Sequence, residues 1–171
     1  QPLEEAKAFN KELAGVQKLA DGVNADNLTK SILTMSTELA TSRSEVSGVY
    51  ADLAASGADF SDMGAVDQRV RAILEVKTAL EVTAESATGL QKQLALSMGK
   101  ENVVKYGGLA TLTTRVGSAI NVMADNLENA SVSGTGVLQR LPLLVQSIGD
   151  KANFPIDRMV ALSAVFESMG F

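Results

Sequence analysis

Between its glycines the chain repeats one pattern: apolar residues three and four positions apart. That period matches the 3.6-residue turn and commits each stretch to an amphipathic helix with one buried face. Three stretches end on similar punctuation, Ala55-Ser56-Gly57, Ser97-Met98-Gly99 and Ser168-Met169-Gly170. Glycine stops a helix because the residue past its end often takes a left-handed conformation that a Cβ resists. Each stop follows a capping residue by about 14–16 positions and ends the second helix of a pair. Helices joined by a short loop turn back on each other. The stops are 42 and then 71 residues apart, too irregular for a solenoid. The expectation is an all-α fold, a compact bundle of about seven helices arranged as successive antiparallel αα-hairpins.

In chain order, Pro2 with Glu4 and Glu5 suits a helix start, with proline in the first turn and acids at the positive dipole end. Ala6, Phe9, Leu13, Val16 and Ala20 form its stripe, and Gly22 ends it. Two heptads are too few for a coiled coil. This helix either packs on the rest of the domain or ends a longer helix entering from upstream. Asn24 or Asp26 caps the next helix, with Leu28, Ile32, Met35 and Leu39 inward. Ser42-Arg43-Ser44-Glu45 is a capping box, in which the hydroxyl meets a backbone N–H and the Glu reaches back. It opens a helix with Val46, Val49, Tyr50 and Leu53 inward, stopped by Gly57, so residues 26–57 form a hairpin. Phe60 is placed to close over that helix end.

Ser61 or Asp62 caps a longer helix carrying Met63, Val66, Val70, Ile73 and Leu80. Arg69 and Arg71 lie on its flanks as a solvated face, with Asp67 and Glu75 as partners. Thr83 begins a partner helix with Ala87, Leu90, Leu94 and Met98, stopped by Gly99, giving a second hairpin. Lys100 to Gly108 is the least regular part, and Gly107-Gly108 breaks it. The single all-helical domain, residues 1–171, is therefore expected to hinge at 100–108 between two halves. Leu109, Leu112, Val116, Ile120, Met123 and Leu127 stripe a further helix. Gly117 on it is either a close-contact point or a weak spot. Two last helices, 134–148 and 155–169, close the chain. Pro142 lies inside the first, where it removes an N–H and kinks or splits the helix. The chain opens on Gln1 and runs one residue past Gly170, and it is expected to be a fragment of a longer protein.

Composition excludes several functions. A chain of 171 residues buries roughly 68–70% of its unfolded surface and needs no staples. Aromatics are only 4% of a chain that is 46% hydrophobic, so the core is built from Ala, Val, Leu, Ile and Met. There is no Cys and no His, which removes disulfides, Cys or His zinc sites and any His-based triad. The net charge of −5 argues against nucleic acid as the main ligand. Residues 1–85 hold 8 basic and 14 acidic side chains, and residues 86–171 hold 7 and 6. No apolar run approaches the ~20 residues that span a bilayer.

No constellation for chemistry stands out. Asp59 with Asp62, and Asp125 with Glu128, are acidic pairs without a nucleophile, metal set or glycine loop beside them. The first pair reads as helix capping and the second as a helix end. Gly107-Gly108 lacks the frame of a phosphate loop, and Asn129-Ala130-Ser131 reads as ordinary loop sequence despite matching a glycosylation acceptor. No catalytic residue, cofactor-binding residue, metal ligand or cofactor is expected.

One ordered set of short motifs does suggest a family. It runs from Ile120-Asn121-Val122-Met123-Ala124-Asp125-Asn126 through Asn129-Ala130-Ser131 to a hairpin with Gly149, Ala161-Leu162 and Ser168-Met169-Gly170. It resembles the core region of tail tape measure proteins of long-tailed bacteriophages and prophages. Glu45-Val46 through Tyr50-Ala51-Asp52-Leu53-Ala54-Ala55-Ser56-Gly57 resembles an upstream part of the same region, so the likeness covers about Asp26 to Gly170. Pro142 and the Asn153-Phe154-Pro155 turn depart from the pattern, where a glycine-led turn is commoner.

The resemblance implies a long, mostly helical structural protein of the virion. Such a protein lies in the lumen of the tail tube, sets tail length during assembly in the host bacterial cytoplasm, and leaves ahead of the DNA at infection. The partners it implies are tail tube proteins, tail tip or baseplate proteins and tail assembly chaperones. A homo-oligomer is compatible with it, no specific nucleic acid is implied, and host membrane contact would belong to other parts of the full-length chain. The competing reading from the residues is a helical partner-binding or sensory module of a bacterial protein, offering an apolar groove to another helix.

Overall fold

In the computed structural model, residues 2–20 and 22–126 are described. Every regular element among them is a helix, and the chain is all-α as its periodicity requires. The elements are α1 (Pro2–Leu19), α2 (Ala25–Glu38), α3 (Arg43–Ala55), α4 (Met63–Leu80), α5 (Ala84–Lys105) and α6 (Leu109–Asn126). The expected helices 134–148 and 155–169, with Pro142 and the Asn153-Phe154-Pro155 turn, lie outside the described residues, as do Leu127, Glu128 and Asn129-Ala130-Ser131.

Side chains start the helices where the sequence places caps. Asn24 Oδ1 accepts from the Asn27 amide at 3.0 Å, which settles the choice between Asn24 and Asp26. Ser42 Oγ accepts from the Glu45 amide at 3.2 Å, and Thr83 Oγ1 from the Ser86 amide at 3.1 Å. Ahead of α4 the cap is Asp62, whose Oδ1 accepts from the Ala65 amide at 3.2 Å. Each bond satisfies one N–H that the first turn leaves unpaired.

The helix ends share one geometry. After α3, Gly57 N–H reaches Ala54 O and Ala58 N–H reaches Leu53 O, at 3.1 and 3.0 Å. After α5, Gly107 and Gly108 repeat the pattern onto Val104 O and Val103 O. These paired bonds are Schellman ends, built on a left-handed residue: φ is 84° at Gly57 and 91° at Gly107. The same pair of bonds closes α2 at Ala40 and α4 at Glu81, with φ of 49° and 53°. Neither of those two ends carries the glycine that marks such a stop in the sequence.

Contacts divide the chain into two compact units, Gln1–Leu74 and Glu75–Phe171, with the division inside α4. In the first unit α2 and α3 form the expected hairpin, and α1 packs against both. Leu28, Ile32 and Met35 of α2 and Val46, Val49, Tyr50 and Leu53 of α3 are buried as the stripes predict. Phe60 is buried beyond the Gly57 stop, as expected. The α1 stripe is buried only at its end, at Val16 and Ala20, while Phe9 and Leu13 are half-buried and Ala6 is exposed.

In the second unit α5 packs against α6 across the Gly107-Gly108 turn, a hairpin that the sequence reading did not single out. Ala87, Leu90, Leu94 and Met98 of α5 and Leu112, Val116 and Ile120 of α6 are its buried residues. Gly117 is a close-contact point: a Cβ built on it would lie 2.7 Å from Val76 Cγ2. The glycine stop expected at Gly99 is a break inside α5, with φ 76° and ψ 158°, and helical backbone resumes beyond it to Lys105.

Candidate functional site

The polar groups of the first unit converge on one carboxylate. Asp67, on α4, accepts from Tyr50 Oη of α3 at 2.6 Å and from Ser31 Oγ of α2 at 3.0 Å, one hydroxyl on each oxygen. Tyr50 holds a buried inward position of α3, with its ring tilted against Phe60 at a centroid distance of 6.4 Å. A buried phenol requires a partner for its O–H, and Asp67 supplies it. Burial above all, then the hydrogen bond to Asp67 and its negative charge, push the Tyr50 hydroxyl well above its ordinary value.

One turn beyond Asp67, Arg71 forms an ion pair with Glu38 at the end of α2. The sequence offered Asp67 and Glu75 as arginine partners. The fold brings Glu38 to Arg71 across two helices and gives Asp67 two hydroxyls. Both members of the ion pair are well exposed, so it contributes at most about 1 kcal/mol. Arg69 is partly buried, and that burial lowers its guanidinium pKa. The expected fully solvated arginine face is therefore half-sunk at Arg69.

A surface cavity of about 390 Å³ lies beside this cluster, lined among others by Lys30, Ser31, Met35, Met63, Asp67 and Arg71. Asp67 is the one carboxylate in its wall, and both its oxygens are already engaged. With Lys30 and Arg71 beside Asp67, the wall carries charges of both signs and selects neither an anion nor a cation. A second cavity, about 830 Å³, is lined by residues of α1 and of the start of α3, including Glu4, Glu5, Phe9, Glu12 and Arg43. There Glu12 Oε1 accepts from Ser44 Oγ at 2.8 Å, while Glu12 Oε2 is buried with no hydrogen-bond partner.

The second unit has a polar rung inside its α5–α6 interface. Gln91 Nε2 donates to Thr113 Oγ1 at 3.1 Å, and that hydroxyl donates to Leu109 O at 2.7 Å. Both side chains are fully buried. The sequence stripes named only apolar positions and missed the rung. Its signal was a Gln one residue beyond Leu90 and a Thr one residue beyond Leu112, at the edges of two apolar stripes.

The acidic pairs resolve differently. Asp59 is exposed and accepts from both the hydroxyl and the amide of Ser61, at 2.6 and 3.0 Å, which holds its carboxyl below the ordinary range. Asp62 is the α4 cap. They build the turn into α4 as a local Asp-Ser motif followed by a cap. Asp125 lies at the end of α6, and its expected partner Glu128 lies outside the described residues. Among the described residues no group of three or more acids is placed to hold a metal ion. No described helix is long and apolar enough to cross a membrane.

Comparison with protein-family models, curated proteins and solved structures found no match to this chain.

Proposed function

We propose that this chain is a structural segment of a bacteriophage or prophage tail tape measure protein. The observation that carries the reading is the ordered progression of motifs from Asn121 to Gly170, preceded by the 45–57 stretch. In the fold that upstream stretch is an intact helix, α3, closed on Gly57. The reading assigns it assembly and length determination inside the tail tube and passage out ahead of the DNA. It performs no chemistry, and its partners are the tube, tip or baseplate proteins and the assembly chaperones.

A core poor in large anchors supports the reading. Among the described residues the fully buried aromatic side chains are Tyr50 and Phe60, and the other buried hydrophobic residues are Ala, Val, Leu, Ile and Met. Smaller side chains contribute less burial energy each, so such a domain unfolds at low cost when it must leave a narrow tube. High resistance to thermal or mechanical unfolding would count against this part of the reading.

Mass spectrometry of purified tails tests the assignment directly. Cleavage after Arg115 and Arg140 releases residues 116–140 as one tryptic peptide. That peptide is expected in tails purified from the encoding phage or induced lysogen. Its absence from intact tails, with tube peptides abundant, would overturn the proposal. The alternative, a helical partner-binding or sensory module, predicts a contiguous exposed apolar patch. The large exposed apolar residues among those described are Leu3 and Leu19 on α1 and Leu96 and Val104 on α5.

A further inference from the structure

The inward face of α1 is covered for only part of its length. Val16 and Ala20 near the end of the helix are buried, while Phe9 is half-buried and Glu5 and Ala6 are exposed. With 3.6 residues per turn, Glu5, Phe9, Glu12 and Val16 lie within about 60° of one another around the axis. Val16 is in the core, and the other three border the cavity of about 830 Å³ whose far wall is the start of α3. A helix face that turns toward the fold ordinarily carries apolar side chains. Here it carries two carboxylates with an aromatic ring between them. The lysines of α1, Lys7, Lys11 and Lys18, fall about 160–180° around the axis from Phe9, on the opposite side of the helix.

The charge of this cavity is unbalanced. Glu4, Glu5 and Glu12 line it, and Arg43 is the one cation among the described residues of its wall. Glu12 Oε1 accepts from Ser44 Oγ at 2.8 Å, but Oε2 is buried and has no hydrogen-bond partner among the described residues. Native structures rarely leave a buried carboxylate oxygen without a donor, because its lost hydration goes uncompensated. We propose that this groove is the docking site for an arginine-bearing segment of a partner protein, with the guanidinium between Glu5 and Glu12 and against the Phe9 ring. Three features select that occupant. The acidic wall selects a cation. The Phe9 ring favours a planar, weakly hydrated cation over an ammonium or a metal ion. The volume is in the range that holds a drug-sized ligand, so residues flanking the arginine enter with it and meet Ala6 and Ala8. The inference does not depend on the tail reading.

Amide nitrogen–proton NMR on the full chain follows docking residue by residue. The probes are N-acetyl-leucyl-arginyl-leucine amide, the same peptide with citrulline in place of arginine, and spermidine. The arginine peptide is expected to shift the amides of residues 5–12 and 42–44 saturably, and the uncharged citrulline peptide is not. Glu5→Gln and Glu12→Gln should each weaken the arginine peptide about five- to ten-fold. Glu5 is exposed, so its substitution leaves the fold intact, and in Glu12→Gln the new side-chain oxygen still accepts from Ser44. Asp52→Asn, exposed on α3 and outside the groove, should change nothing. No saturable shift, equal affinity for the citrulline peptide, or undiminished binding in both Glu variants overturns the proposal. Spermidine binding the groove as tightly as the arginine peptide overturns it too, since the site would then be one for free polyamines.

Discussion

Gly117→Ala tests whether the approach of α4 to α6 within the second unit is as tight as the structure shows. The new Cβ would stand 2.7 Å from Val76 Cγ2, against about 3.5–4.0 Å for an unstrained carbon contact. About 1 Å of separation must therefore be found. Val76 cannot easily supply it, because it is 3% exposed and a β-branched side chain in a helix has one strongly preferred rotamer. Overpacking of this kind costs roughly 1–3 kcal/mol. Replacing a helical glycine by alanine returns about 1 kcal/mol in propensity. The net expectation is a destabilisation of about 1 kcal/mol.

Gly89→Ala is the matched control. It lies on α5, nothing stands within 4 Å of its Cβ site, and it should stabilise by about 0.5–1 kcal/mol. Urea titrations followed by circular dichroism on Gly89→Ala, Gly117→Ala, Val76→Ala and the Val76→Ala/Gly117→Ala double variant complete the test. Because Val76→Ala removes the clashing methyl, the double variant should be more stable than the sum of its parts by about 1–2 kcal/mol. If Gly117→Ala stabilises as much as Gly89→Ala, and the cycle is additive within about 0.3 kcal/mol, the close approach is refuted.

Other expectations follow from the same geometry. Ala40→Gly and Glu81→Gly should each stabilise by about 0.5 kcal/mol. Relief of a left-handed L-residue, worth about 1 kcal/mol, is partly offset by the greater freedom of glycine in the unfolded chain. Thermal melts of each variant against the parent check this, and a loss of stability in both would contradict the Schellman assignment. Tyr50 holds its proton more tightly folded than unfolded, so its contribution is fully present below about pH 10 and is lost as pH rises toward its raised folded value. Between pH 10 and 11 the parent should lose up to about 1.4 kcal/mol more than Tyr50→Phe, and equal alkaline slopes in urea titrations would exclude the role given to Tyr50. Gln91→Ala should cost about 2 kcal/mol through a lost buried hydrogen bond and a cavity, with Gln91→Leu costing less. A cost near zero for Gln91→Leu would mean that the Thr113 contact is energetically silent.

The sequence alone determined the all-α class, most helix boundaries and most of the buried stripes. Those follow from local rules: a 3.6-residue period, a side chain that caps an amide, and a glycine that tolerates positive φ. Asn24, Ser42, Asp62 and Thr83 cap because their oxygens reach an N–H three residues on, whatever the rest of the fold does. The tertiary structure decided everything that depends on which helix lies beside which. Asp67 read as an arginine partner because its neighbours in sequence were arginines, and only the fold shows it accepting from Tyr50 and Ser31, 17 and 36 residues away. Gly117 stayed ambiguous until Val76 was seen against it. The Gln91–Thr113 rung was hidden because a polar residue beside a stripe looks solvated until a second helix covers it. Gly99 read as a stop, since a glycine that ends a helix and one that bends it share the same local sequence. The difference lies in whether helix resumes, and here it does, with Asn102 bonding back across the break.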